Sequence, residues 1–150
     1  MSKIVKTTRL IARATRMCVT RPNEAWLLMR MAWWVAVLSV SARCYSLPRA
    51  LELVAGDNDR RSPERANRED LARAIDLLLS ADVLIFKPIC WKRAAVLHRY
   101  LSRTGTHTRI IFGVRNEIDG KFDGHAWLEQ DGQPILEKKP PNYVVTYSFP

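Results

Sequence analysis

The stretch Cys90-Trp91-Lys92-Arg93-Ala94-Ala95-Val96-Leu97-His98-Arg99-Tyr100-Leu101-Ser102-Arg103-Thr104-Gly105 decides how the chain folds. Ala94, Leu97 and Leu101 recur at helical spacing, Pro88 stands just before the stretch and Gly105 follows as a C-cap-like stop. A helix from about Cys90 to Ser102 is expected, with Cys90 in its first turn. Downstream the pattern changes. Arg109 to Arg115 is short, apolar and partly β-branched, and reads as a strand. His125–Glu129 and Gln133–Glu137 read as two more strands around Asp131-Gly132, and Tyr143–Phe149 as a last one. Asn116 to Asp123 reads as a loop. Helices followed by a run of neighbouring strands imply an α+β fold with an antiparallel sheet, on which the Cys90 helix packs.

Upstream, Asn67 opens an amphipathic helix, with Asp70 in the capping-box position and Leu71, Ile75, Leu78 and Leu79 as one stripe. Residues 56–66 form a polar loop, and Ala81 to Ile89 an apolar connection. Residues 23–45 are the most apolar part of the chain, with Asn23 as a helix cap after Pro22. This segment is apolar almost all round and predicts a buried helix. Trp26, Trp33 and Trp34 share a face in it, for which core packing is the expectation. Its uninterrupted run from Met31 to Ala42 is 12 residues, short of the roughly 20 a membrane span needs. Contact with a membrane is the lesser alternative. Residues 1–22 are a basic arm carrying Lys3, Lys6, Arg9, Arg13, Arg16 and Arg21 and no acid. The expected division is therefore arm (1–22), apolar helical region with its loop (23–66) and core (67–150).

At 150 residues, 47% hydrophobic and 26% charged, the chain has room for one sizeable core and is not a disordered sequence. Its net charge of +9 could steer an acidic peptide, a membrane surface or nucleic acid. No helix-turn-helix, zinc-finger or aromatic stacking pattern supports nucleic acid. The three cysteines, Cys18, Cys44 and Cys90, form no C-x-x-C pair and are odd in number. Neither a structural zinc site nor a disulfide framework is expected, and the reading is a reduced, cytoplasmic protein without metal or cofactor.

The chemistry centres on Cys90. Unpaired N–H groups and the dipole at a helix start favour a thiolate, the form that attacks a carbonyl. His125 lies between the small residues Gly124 and Ala126, which leave an imidazole reachable. The third member depends on register. A two-residue turn at Asp131-Gly132 sets His125 opposite Lys138 and sends Glu137 to the other face. A three-residue loop, Gln130-Asp131-Gly132, sets His125 opposite Glu137 and builds a base–orienter pair. Both registers are open to this sequence. Asp123 is an alternative acid, ranked below Glu137 because i and i+2 on one strand stand well apart. His98 and His107 have no partner at comparable spacing, and His98 reads as a surface or packing residue.

Taken together, Cys90-Trp91-Lys92-Arg93-Ala94 with Leu97, Leu101 and Gly105, then Ile111-Phe112-Gly113-Val114-Arg115, then Phe122-Asp123-Gly124-His125-Ala126-Trp127-Leu128-Glu129 and Gly132 resemble the leader peptidase of lasso peptide biosynthesis. That family is one of the transglutaminase-like cysteine peptidases. The resemblance covers roughly residues 65–140, with a looser likeness in the apolar N-terminal helix. It implies removal of the leader from a ribosomally made precursor peptide, after which an ATP-dependent cyclase closes the macrolactam. It carries the nucleophile to Cys90, the base to His125 and the acid to Glu137. The family more often has Asp at the acid position, and Glu137 is longer by one methylene. The helical N-terminal region leaves no room for the β-rich leader-recognition module fused to some members, so a separate recognition protein is the expected partner. Trp91, Trp127, Arg93 and Arg115 are candidate substrate-binding residues. The alternatives are a core tryptophan at Trp127 and, for Arg93 and Arg115, pairing with nearby acids.

Three other functions fit parts of the pattern: a transglutaminase with an amine as acyl acceptor, a non-catalytic peptide-binding module with Cys90 in its core, and a membrane-surface adaptor using the basic arm and the 23–45 helix.

Overall fold

The computed structural model describes residues 22–55, 67–80, 89–116 and 121–150. The basic arm up to Arg21, the polar loop 56–66 and residues 81–88 of the apolar connection lie outside the described residues. Four helices come first: α1 (Pro22–Cys44), α2 (Leu47–Ala55), α3 (Arg68–Leu79) and α4 (Cys90–Arg103). Four strands follow: β1 (Arg109–Asn116), β2 (Phe122–Gln130), β3 (Gln133–Ile135) and β4 (Val144–Phe149). They form one antiparallel sheet in the order β3-β2-β1-β4. The architecture is the expected α+β arrangement.

Helix α4 starts and stops for local reasons. Ile89 is extended, and its carbonyl accepts from the Lys92 and Arg93 N–H groups. At the other end Gly105 is left-handed (φ 83°), with Gly105 N–H donating to Ser102 and Thr106 N–H to Leu101. These two bonds make a Schellman stop and satisfy carbonyls the helix leaves open. Ala94, Val96, Leu97 and Leu101 are buried in the core they share with Ile110, Leu128 and Phe149 of the sheet. His98 is buried as well. Its Nδ1 lies 2.9 Å from Thr108 Oγ1 and its ring meets the edge of Phe149. Burial lowers its pKa from 6.5 to about 4, so it is a neutral core histidine rather than a surface one.

Helix α3 is capped by Asn67, whose side chain accepts from Glu69 N–H. Asp70 pairs with Arg73 along the helix. Leu71, Ala72, Ile75 and Leu79 are buried and Leu78 packs beside them, as the stripe predicts.

Helix α1 departs from expectation. Met31, Val35 and Leu38 are fully buried against the other helices, but Trp26 and Trp33 are 56% and 66% exposed. A helix on the outside of a bundle has neighbours on one side only, so its second apolar face stays in solvent. The tryptophan spacing does put Trp26 and Trp33 on one face, and that face is the outer one. Trp34 instead packs against the core, under the Arg99 guanidinium at 3.7 Å. Arg99 also donates to the Val54 carbonyl, which ties α4 to α1 and α2. The run of 12 uncharged residues also understates the segment: Asn23–Cys44 is long and apolar enough to cross a membrane by length and composition. Helix α2, which the sequence reading did not separate, begins after a break at Tyr45-Ser46 and buries Ala50, Leu51 and Val54.

The hairpin register is a correction. Strands β2 and β3 pair Leu128 with Ile135, Glu129 with Pro134 and Gln130 with Gln133. The connection is therefore the two-residue turn, with Asp131 (φ 52°) and Gly132 (φ 76°) both left-handed, a type I′ pair. The three-residue loop is not formed. Strand β3 ends at Ile135 rather than reaching Glu137. The edge position suits Pro134, which has no N–H to give a further strand.

Candidate active site

Cys90 is a free, half-buried cysteine in the first turn of α4. The first N–H groups of a helix have no acceptor within it; Lys92 N–H turns back to the Ile89 carbonyl, so the donors the helix start offers beside this thiol are those of Cys90 and Trp91.

His125 sits in the middle of β2, opposite Gly113 of β1. Its ring is stacked on Trp127 (centroids 6.1 Å, interplanar angle 16°) and faces Tyr143 at 5.3 Å. Those two rings fix its plane. Its Nε2 lies 3.2 Å from Glu137 Oε2, which leaves Nδ1 as the nitrogen open to another partner.

The His125–Glu137 contact exists although the register that predicted it does not. Leu136, a non-glycine residue at φ 60°, turns the chain after β3. The turn breaks the strand alternation that would have sent Glu137 to the opposite face. A left-handed leucine is costly and persists only where its surroundings hold it. Arg93 does so: its Nη2 donates to the Leu136 carbonyl at 3.0 Å and its Nη1 to Glu137 Oε1 at 3.2 Å. Arg93 is itself gripped by Asp76 of α3, through Nε at 2.6 Å and Nη2 at 3.4 Å. One guanidinium, one turn beyond Cys90 on α4, thus ties the nucleophile helix to the acid that touches His125.

A second network adjoins the imidazole through Tyr143. Tyr143 donates to Asp123 Oδ2 at 2.8 Å, and Arg115 pairs with the same oxygen at 2.9 Å while its guanidinium lies over the Tyr143 ring. The hydrogen bond to Asp123 raises the Tyr143 pKa, burial adds to this, Arg115 opposes it, and the charges of Asp123 and Cys90 add the rest. Cys90 is thus within electrostatic reach of the tyrosine on which His125 packs. Asp123, the alternative acid, is engaged with Tyr143 and Arg115.

Of the candidate substrate-binding residues, Arg93 and Arg115 pair with acids of this chain. Trp127 is buried, with its Nε1 donating to Glu129 at 2.9 Å. Trp91 is half-buried against the core, with Lys92 Nζ 5.9 Å from its ring. Three contributors were missed by sequence reading. Gly113 is needed for space: a Cβ there would lie 2.7 Å from Tyr143 Cβ and 3.0 Å from the Trp127 ring. The sequence pattern makes Tyr143 the start of a strand, but β4 begins at Val144. Asp76 sits on the exposed side of α3 and carries no local mark of its role.

Among the described residues no group of three or more His, Cys, Asp or Glu is arranged to hold a metal ion. A carboxylate-held imidazole tied through Arg93 to a cysteine-bearing helix has the parts for acyl transfer through a thioester. Comparison with curated proteins and with solved structures finds no match. The family model described as the transglutaminase-like superfamily matches residues 34–148, which include Cys90, His125 and Glu137. The chain belongs to the transglutaminase-like superfamily.

Proposed function

We propose that this protein is a cysteine peptidase that removes the leader peptide from a ribosomally made lasso peptide precursor. It acts with a separate leader-recognition protein, ahead of the macrolactam-forming cyclase. The observation that carries the chemistry is the His125–Glu137 pair at 3.2 Å, locked to the Cys90 helix through Arg93. The choice of precursor rests on the ordered likeness of the Cys90, Gly113 and His125 motifs to the lasso leader peptidases.

In this reading the Cys90 thiolate adds to the scissile carbonyl. The imidazolium of His125 protonates the leaving amine, which departs as the N-terminus of the core peptide. A water molecule, deprotonated by His125, then hydrolyses the thioester and frees the leader carboxylate and the thiol. Glu137 accepts from Nε2, holds the ring with Nδ1 toward the thiol and stabilises its positive charge. The Cys90 N–H is the natural donor to the oxyanion.

The test is product analysis. Incubating the full chain with precursor and recognition protein should yield a leader ending in a free carboxylate and an unmodified core, by mass spectrometry. A leader carrying an added primary amine, formed in preference to the acid, would show an acyl transferase instead. An intact precursor would sink the proposal.

A further inference from the structure

Helix α1 turns to solvent an apolar row that the core does not use. Trp26, Met29, Trp33 and Val40 are each more than half exposed. Their spacing of three, four and seven residues lines them on one side of the helix. The row extends over about 21 Å at the helical rise per residue. Less than a third of the helix's apolar stretch is buried in the fold. Contiguous exposed apolar surface of this kind marks an interaction site rather than ordinary scatter.

The sequence directly before α1 supplies an independent observation. Lys3, Lys6, Arg9, Arg13, Arg16 and Arg21 precede the first acid of the chain, Glu24. A dense run of one sign next to two exposed indoles suits a surface that is apolar beneath and anionic above. Tryptophan settles at the headgroup level of a bilayer, and clustered bases bind anionic headgroups.

We propose that this face docks the protein on an anionic lipid surface, with α1 lying along the interface. It does not cross the bilayer. The opposite side of α1, through Met31, Val35 and Leu38, belongs to the core that also holds Leu51, Leu71 and Leu97. Insertion would strip that core. A protein partner could also cover an aromatic row. Six bases spread over residues 3–21 with no acid among them are what favours a diffuse anionic surface over a shaped one.

The test uses the full chain and needs no precursor, so it stands or falls separately from the peptidase reading. Flotation is measured with vesicles of phosphatidylcholine alone and of phosphatidylcholine with phosphatidylglycerol. The protein should float with the anionic vesicles only, with a blue shift of its tryptophan emission. Trp26→Ser with Trp33→Ser should weaken this binding at least about tenfold, while circular dichroism stays unchanged. Arg9→Gln, Arg13→Gln and Arg16→Gln together should weaken it as well, and give the reading if the tryptophan variant fails to fold. Absence of flotation with anionic vesicles overturns the proposal. So does binding that these variants leave unchanged, or a lipid-free dimer or protein complex that the tryptophan variant abolishes.

Discussion

Glu137 serves two partners at once: Oε2 meets His125 and Oε1 meets Arg93. Replacing it by Gln puts an amide where a carboxylate holds the imidazole, and removes the charge that balances an imidazolium. Glu137→Gln is expected to keep the fold and lower kcat for leader cleavage by roughly a hundredfold or more. Glu137→Asp keeps the charge and should retain more activity. Arg93→Ala frees Glu137 and the left-handed Leu136 together, and is expected to cost about tenfold to a hundredfold in kcat through misplacement. Steady-state cleavage by the three variants, beside their circular dichroism, checks this. Equal activity of Glu137→Gln and wild type would remove the acid from the site. The places of Cys90 at a helix start and of His125 on a strand could be read from the sequence, because both signals are local. The Glu137 contact was expected through the wrong register. Nothing in the sequence marks Leu136 as left-handed, since its conformation is held by Arg93 from a distant helix.

Among the elements, the sheet is built around a glycine that leaves space rather than one that turns. A methyl group at position 113 would press on Tyr143 and Trp127, the two rings that hold His125. Gly113→Ala is expected to lower stability by about 1–3 kcal/mol, visible as a lower Tm, with a fall in cleavage rate beyond what the unfolded fraction explains. Helix α4 carries a separate prediction through His98. Its pKa is lowered from 6.5 to about 4 by burial. Below about pH 6.5 the unfolded chain takes up a proton that the folded chain refuses until about pH 4, so stability falls across that window and the loss then levels off. The full loss approaches about 3 kcal/mol. Urea unfolding at pH 7 and pH 4.5 should show it, and His98→Asn should flatten the difference. The helices α3 and α4 were legible because stripe, cap and stop agree. The hairpin was not. An Asp-Gly pair suits the two-residue turn, in which both residues are left-handed, and that local preference prevails over the register that would pair His125 with Glu137 along the strands.

At the scale of the whole molecule, the N-terminal helices and the sheet share one core through α4, so the candidate site is assembled from both ends of the fold. The α+β order could be read from the alternation of patterns along the chain. The outward face of α1 could not, because a segment apolar all round does not say how many neighbours it will have. If a separate protein brings the leader, the isolated chain should cleave dilute precursor slowly, and adding the recognition protein should raise the rate through effective concentration. Full activity of the isolated chain on dilute precursor would contradict a split system. The central claim is that Cys90 is the nucleophile of leader removal. The direct measurement is precursor cleavage, in the presence of the recognition protein, by wild type, Cys90→Ala and Cys90→Ser, followed by mass spectrometry with circular dichroism as the folding control. The account predicts folded variants whose cleavage is lost to background. Cleavage by folded Cys90→Ala at a rate near that of the wild type would contradict it.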